Sequence, residues 1–160
     1  MYVVISPISV FWLCCSMTSW IKREGNNIPL HAFKAGYEQD GSPLYIARSR
    51  MVDGVMTPGK CGPGVKGAHF PYGGKEVIIE HHYEVFVPAS NEEYAFQPVF
   101  KDGDVPPNAV KTDDGIYVGR FVKDECLIPG KIAPLHKCGY VGNDGKEFIK
   151  KAYEVLVRIK

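Results

Sequence analysis

The stretch "IPLHAFKAGYEQDGSPLYIAR", Ile28 to Arg48, recurs in shortened form as "VPPNAVKTDDGIYVGR", Val105 to Arg120. Each copy passes from a proline-containing entry through a turn at Asp-Gly to a segment in which outward and inward residues alternate. Such alternation is the pattern of a half-buried β-strand, and Asp-Gly is a turn signal. The stretch therefore predicts one β unit that is present twice.

Three more motifs follow in the same order in both copies. They are "PGK" (58–60 and 129–131), "GGKE" or "DGKE" (73–76 and 144–147), and "YEVF" or "YEVL" (83–86 and 153–156). The spacing between the copies shrinks gradually along the chain, which requires only small deletions in turns. Two copies are too few for an open solenoid, so we expect them to pack on each other around a pseudo-twofold axis.

The composition favours an all-β fold of short antiparallel strands. The chain has 160 residues, of which 45% are hydrophobic, 17 are glycine and 12 are proline, and it lacks long runs of strong helix formers. The segment "EFIKKAYEV", residues 147–155, has some helical character, but its partner in the first copy favours a strand. We therefore predict a first repeat at 20–90 and a second at 91–160, which together form one compact domain at 20–160.

Residues 1–19 form an apolar N-terminal extension that is too short for a confident membrane span and lacks the basic start of a secretory signal. It is either signal-like or the product of a misassigned start, with translation beginning at Met17. The chain has five cysteines, an odd number without a CxxC pair, which favours free thiols and a cytoplasmic location. Secretion stays open, through the signal-like N-terminus or by non-classical export.

The net charge of +1 gives no argument for binding nucleic acid or an anionic membrane surface. The adjacent histidines of "EHHYE", residues 80–84, point to opposite faces of a strand, and the second copy has "KKAYE" in their place. We therefore predict no metal site and no cofactor. The sequence also lacks a recognisable nucleophile motif, so it gives no support to an enzyme.

The Pro-Gly-Lys motif allows several interpretations. "GVMTPGKC", Gly54 to Cys61, approaches a phosphate-binding loop, but Cys61 replaces the required Ser or Thr and no helix follows. Pro-Gly is typical of a type II turn, which we predict at 58–59 and at 129–130 with an exposed lysine after it. The lysine in both copies also fits a cation held at a fixed position in a binding site.

Acidic residues complete a polar set that is repeated in both copies. Asp before Gly is usual turn chemistry, and a Glu after a Gly-Lys turn can be a solvated hairpin residue. Taken together, however, each copy offers one Asp, one Lys and one Glu, which a purely structural repeat would not require. The predicted binding residues are Asp40, Lys60 and Glu76 in the first copy and Asp114, Lys131 and Glu147 in the second.

This series of motifs, from Trp20 to Lys160, closely resembles the DM-nine tandem-repeat family, whose repeat also occurs N-terminally in natterin-type proteins. The resemblance implies an all-β lectin that binds mannose-containing glycans without calcium, with innate-immune recognition of microbial surfaces as its role. It also implies that Asp40 acts with Lys60, and Asp114 with Lys131, as the sugar-binding pairs. The second copy is shortened before Asp114 and has Phe96 and Phe100 where the first has Trp20, so its site departs from the pattern.

The resemblance leaves two alternative functions open, and also whether the chain forms a homodimer. A non-catalytic module that binds a protein or a lipid headgroup would also use duplicated polar segments, and an enzyme acting on a phosphorylated substrate would use the loop at 54–61. Two sites in one chain, and more in a homodimer, would raise the avidity for a glycan surface.

Overall fold

A computed structural model describes residues 19–100 and 103–160, and in these ranges it confirms the all-β fold, with fourteen strands, one 3₁₀ turn and no α-helix. The extension predicted for residues 1–19 lies outside the described residues, except for Ser19 at the start of the first strand.

The strands fall into two sets of seven that follow each other along the chain. The first set is β1 (Ser19–Arg23), β2 (Lys34–Tyr37), β3 (Pro43–Arg50), β4 (Met56–Cys61), β5 (Ala68–Tyr72), β6 (Lys75–Ile79) and β7 (Tyr83–Val87). The second set is β8 (Tyr94–Pro98), β9 (Lys111–Asp113), β10 (Ile116–Lys123), β11 (Cys126–Ala133), β12 (Cys138–Asn143), β13 (Lys146–Lys150) and β14 (Glu154–Arg158). The 3₁₀ turn is Pro134–His136, between β11 and β12.

The order of strands across the sheet shows the predicted symmetry. It runs β1-β7-β3-β4-β5-β6-β13-β12-β11-β10-β14-β8, so exchanging each strand for its counterpart in the other repeat reverses the order and leaves it unchanged. The pseudo-twofold axis passes between β6 and β13. The prediction of two repeats related by a pseudo-twofold axis is therefore confirmed.

The repeated Gly-Lys-Glu motifs meet at this axis. Lys75 of β6 lies opposite Lys146 of β13 in an antiparallel register. The backbone N–H of Glu76 donates to the carbonyl of Gly145 at 3.0 Å, and that of Glu147 donates to the carbonyl of Gly74 at 3.2 Å. The motif thus joins the two repeats through reciprocal backbone hydrogen bonds.

Short strands also cross between the repeats. β2 pairs with β3 of its own repeat and with β11 of the other. β9 pairs with β10, and its Asp113 side chain accepts the Met56 N–H of β4 at 2.8 Å. The Thr112 hydroxyl donates to the Met56 carbonyl at 2.7 Å. Because each repeat binds a strand of the other, the two repeats form one domain.

The buried side chains lie in three clusters, one of which draws almost equally on both repeats. This shared cluster contains Ala35, Ile46, Phe86, Val118 and Leu156. Phe33 adds an aromatic bridge, with its ring centroid 6.2 Å from that of Phe86 and 6.1 Å from that of Phe96. The other two clusters lie mainly within one repeat each. Burial of the shared cluster requires both repeats to be folded.

The predicted type II turn at Pro-Gly is wrong, because both motifs lie within strands, at 58–59 in β4 and at 129–130 in β11. Glycine is required at 59 because the adjacent strand crosses at close range. A Cβ there would lie 2.2 Å from the His69 carbonyl oxygen, and at Gly130 it would lie 2.4 Å from the Tyr140 oxygen. β5 pairs with β4 only from Lys60 onward, so the missing N–H of Pro58 removes nothing from that ladder.

Replacing Gly59 by alanine therefore tests the close crossing. We expect Gly59→Ala to lower the free energy of unfolding in urea by about 2 to 3 kcal/mol, because the new methyl group overlaps a backbone carbonyl. Gly64→Ala is the matched control, since its Cβ would lie 3.7 Å from Ser42, an ordinary contact. Equal unfolding midpoints for the two variants would contradict this account of the motif.

Candidate functional site

The predicted lysines and glutamates are buried and paired with each other. Lys60 lies 3.4 Å from Glu76, with both side chains 5% exposed. Lys131 lies 3.2 Å from Glu147, with side chains 14% and 10% exposed. The predicted exposure of the lysines is wrong, and so is the alternative of a solvated hairpin glutamate. Each charge is buried beside a partner that compensates its loss of water.

The first of these centres also contains Glu38 and His69, and we call the four residues the Lys60 site. The ammonium group of Lys60 lies 3.7 Å from Glu38, in addition to its contact with Glu76. Glu76 is in turn 2.7 Å from His69 Nδ1. The other ring nitrogen of His69 lies 3.0 Å from the carbonyl oxygen of Lys66. Two carboxylates therefore flank one buried ammonium group.

Four segments position these side chains. Lys60 on β4 lies directly opposite His69 on β5. The hairpin of β5 and β6 brings Glu76 beside them, and Glu38 follows the end of β2. The second repeat provides space, because a Cβ at Gly142 of β12 would lie 2.7 Å from a carboxylate oxygen of Glu76. The Lys60 site therefore lies directly against a strand of the second repeat.

The polar groups of the Lys60 site retain hydrogen-bonding capacity. The two ammonium–carboxylate distances of 3.4 and 3.7 Å exceed those of a well-formed charge-assisted hydrogen bond, about 2.7 to 2.9 Å. The buried Oε2 atom of Glu76, the atom that lies 3.4 Å from Lys60, has no hydrogen-bond partner, and the same holds for Oε2 of Glu147 in the second centre. A group that both donates and accepts hydrogen bonds would therefore find partners here.

Glu76 is held in its ionised form. Burial raises the pKa of Glu76, but the hydrogen bond from His69 and the positive charge of Lys60 outweigh this effect and lower the pKa below the ordinary value of 4.5. The carboxylate therefore accepts hydrogen bonds at neutral pH.

The second centre has a different environment, although it occupies the equivalent position. The ammonium group of Lys131 donates to the Pro71 carbonyl at 2.8 Å and lies 4.8 Å from the Tyr140 ring centroid and 5.6 Å from that of Tyr72. Glu147 also accepts the Gly74 N–H at 3.1 Å. Cation–π contacts and a carbonyl thus occupy the space around this lysine.

The predicted aspartates lie in turns and take part in local hydrogen bonds there. Asp40 accepts the Ser42 N–H at 2.9 Å, which is the main reason that the pKa of its carboxyl is lowered, and Gly41 follows with φ of +84°. Asp114 is exposed in the turn at Gly115, with φ of +67°, and its N–H donates to Asp113 at 2.8 Å. In the described part of the chain, the ion pairs of Lys60 and Lys131 are made with glutamates. A sugar-binding role for Asp40 or Asp114 stays a prediction.

Glu38 is the residue that the sequence interpretation missed. It lies two positions before Asp40 in "GYEQDG", and the repeat comparison favoured Asp40 because that residue precedes a glycine present in both copies. The sequence signal that could have identified Glu38 is the insertion in the first repeat. The first repeat has extra residues after β2, and the carboxylate that reaches Lys60 comes from this extra loop.

A second duplicated feature is an arginine that pairs with a glutamate and lies over an aromatic ring. The arginines are Arg48 and Arg120, which the sequence comparison aligned but to which it gave no role. Arg48 pairs with Glu84 at 3.0 Å, and its guanidinium lies 4.2 Å from the centroid of the Trp20 ring. Arg120 pairs with Glu154 and lies 4.3 Å from the centroid of the Phe96 ring. Phe96 is therefore the structural counterpart of Trp20.

Three further properties concern the described residues alone. Between residues 19 and 160, without 101 and 102, no cluster of three or more His, Cys, Asp or Glu side chains is arranged to hold a metal ion. No helix in the same ranges has the length and hydrophobicity to cross a membrane. Cys61, Cys126 and Cys138 are free and buried, and burial raises the pKa of the Cys61 thiol to about 12.

Comparison with known proteins gives the family. The model of the DM9 repeat matches residues 8–79, 51–114 and 111–160; successive matches overlap, and the middle one spans the junction between the structural copies. Since these matches cover most of the sequence, the chain belongs to the DM9 repeat family. Membership supports a carbohydrate-binding, lectin-like module and confirms the resemblance found in the motifs.

Two similar proteins illustrate the range of the repeat. Natterin-2 of Thalassophryne nattereri is 35% identical over 94 residues, which are 58% of this chain and 24% of that protein. The nematode sperm cell motility protein MFP2B has a similar structure, with a TM-score of 0.71 and 17% identity, covering 98% of this chain and 49% of that one. The chain thus spans half or less of each of these proteins. The second similarity shows a shared fold.

The lowered pKa of Glu76 predicts a stability change in acid. The contribution of this carboxylate is complete above the ordinary glutamate pKa of 4.5 and is lost as the pH falls through the lower pKa of the folded state. Glu76→Gln should therefore make the fall in unfolding free energy between pH 6 and about pH 3 less steep. Denaturant titrations at several pH values measure this.

Part of the acid sensitivity will remain in this variant, because the pKa values of Asp40, Asp113 and Asp124 are also lowered. Parallel pH profiles for Glu76→Gln and the unaltered protein would show that Glu76 does not contribute.

Proposed function

We propose that this chain is a lectin that binds mannose-type glycans at the Lys60 site without calcium. The observation that carries the proposal is a buried ammonium group between two carboxylates, with long contacts of 3.4 and 3.7 Å and a Glu76 oxygen that has no hydrogen-bond partner. Membership of the DM9 repeat family supports a carbohydrate as the ligand. We further propose mannose as the sugar.

The chemistry of a sugar matches this arrangement. Vicinal hydroxyl groups both donate and accept, so one can accept from Lys60 while its neighbours donate to Glu76 and Glu38. Glu38 is the group that an approaching sugar meets first, because its side chain is 26% exposed while that of Lys60 is 5% exposed. A monosaccharide held mainly by such polar contacts should bind weakly, with a Kd on the order of 0.1 to 1 mM.

The loop that carries Glu38 is attached to the second repeat. The side chain of Gln39, next to Glu38, donates to Glu125 at 3.1 Å, which ties the loop after β2 to the turn between β10 and β11. A fixed loop reduces the entropy that a ligand must remove to order its partners. The affinity should therefore depend on the contact between the repeats.

The equivalent centre in the second repeat is the weaker candidate. Lys131 already donates to the Pro71 carbonyl, and two tyrosine rings lie around it. The second copy also has a shorter segment before Asp114, so it has no counterpart of the loop that carries Glu38. We infer that each chain has one principal mannose site and that Lys131 and Glu147 stabilise the fold.

One weak site per chain has a consequence for the biological role. Recognition of mannose glycans on a microbial surface would require several chains acting together, for example as a homodimer, because avidity multiplies weak contacts. We propose innate-immune pattern recognition as this role. Contact with microbes outside the cell would require export of the chain.

Substitutions in the Lys60 site test the proposal. We expect Glu38→Gln and Lys60→Met each to reduce retention on mannan beads at least tenfold, because each removes a charge-assisted hydrogen bond to the sugar, worth about 1.5 to 3 kcal/mol. Asp40→Asn is the matched control and should retain binding. Circular dichroism confirms folding of each variant. Loss of binding in Asp40→Asn with retention in Glu38→Gln would assign the carboxylate to Asp40 instead.

Lys131→Met separates stability from binding. It leaves the buried Glu147 without its cation, so we expect the free energy of unfolding to fall by about 3 kcal/mol. Retention of the folded protein on mannan beads should be unchanged. Loss of mannan binding in a folded Lys131→Met protein would contradict a single principal site.

A further inference from the structure

We infer a second binding site, for an acidic oligosaccharide, in a basic cleft of the first repeat. Two adjoining cavities of about 640 and 450 Å³ share His82 and Glu84 as lining residues. Six basic side chains line them: Lys22, Arg23, Arg48, Arg50, His81 and His82. We call this pair of cavities the basic cleft. Each cavity has a volume typical of small-ligand sites.

Positive charge exceeds negative charge in the basic cleft. Glu84 pairs with Arg48 at 3.0 Å, and Glu24 lies 3.5 Å from His81. Within the described residues, the remaining cations, Lys22, Arg23 and Arg50, have no carboxylate in ion-pair contact. The whole chain has a net charge of only +1, so this excess is local.

Backbone carbonyls fix the two free guanidinium groups without neutralising them. Arg23 donates to the carbonyl of Lys22 at 3.0 Å, and Arg50 donates to that of Gly54 at 2.9 Å. Asp113 interacts with Arg50 electrostatically but outside ion-pair distance. Positioned guanidinium groups with unused donors suit sulfate and carboxylate groups.

The second repeat provides an internal comparison. Its equivalent cleft, of about 400 Å³, retains the ion pair of Arg120 and Glu154. By strand register, Pro98 and Val122 stand there in place of Lys22 and Arg50. Ala152, which precedes Tyr153, stands in place of His82, which precedes Tyr83. Both clefts therefore keep the Arg–Glu pair, whereas the second has one further cation, Lys150, in place of the several cations of the first. Lys22 and Arg50 are not explained by the architecture.

The form of the basic cleft favours an oligosaccharide over a lipid surface. Glu24 and Glu84 lie in its walls, where they would repel a continuous layer of anionic headgroups. The same carboxylates can accept hydrogen bonds from sugar hydroxyls while the cations bind sulfate or carboxylate substituents. A concave site with both signs of charge matches a chain that carries both kinds of group.

Isothermal titration of the full chain with dextran sulfate, beside neutral dextran as control, tests the inference. We expect binding of dextran sulfate alone, weakened by added salt because the contacts are charged and exposed. The double variant Lys22→Gln, Arg50→Val introduces the uncharged valine of the second repeat and should weaken binding at least tenfold. Lys150→Gln, in the equivalent cleft, is the matched control and should bind normally.

The outcome is independent of the mannose proposal. Lys60→Met should retain binding to dextran sulfate, and the double variant should retain binding to mannan. Unchanged affinity for dextran sulfate in the double variant would overturn the inference. So would binding to phosphatidylserine vesicles, but not to dextran sulfate, that disappears in the double variant.

Discussion

The buried pairing of a lysine with a glutamate beside the pseudo-twofold axis determines much of this structure. An ammonium group loses its hydration when it is buried and remains in place only if a carboxylate compensates it. Lys60 and Glu76 come from β4 and β6 of the same repeat, at 3.4 Å. Gly142 of the other repeat leaves the space in which that carboxylate lies. The paired charges therefore lie against a strand of the other repeat, which shields them from water.

Duplication gave the chain two such centres, and they now differ in chemistry. At the position opposite the lysine, the first repeat has His69 and the second has Tyr140. The histidine contacts a carboxylate, whereas the tyrosine presents an aromatic face to Lys131. The clefts at Arg48 and Arg120 also differ, because more basic side chains line the cleft of the first repeat. In both places the first repeat carries the more polar chemistry, while the second favours packing.

The sequence predicted the repeats, the strands and the symmetry well, because these depend on local alternation and on motifs in a fixed order. It failed at Pro58 and Gly59, since the local pattern of a turn and of a strand crossing is the same. Only the tertiary structure, in which the His69 carbonyl lies against Gly59, identifies the strand crossing. Glu38 was missed for a similar reason. Its contact with Lys60 joins a loop to a strand from a different part of the chain, and no local pattern contains that information.

A structure of the chain with methyl α-mannoside tests the central claim most directly. The account predicts the sugar at the Lys60 site, with its hydroxyl groups within hydrogen-bond distance of Lys60, Glu38 and Glu76. A sugar bound at Lys131, or at Asp40 away from Lys60, would contradict it.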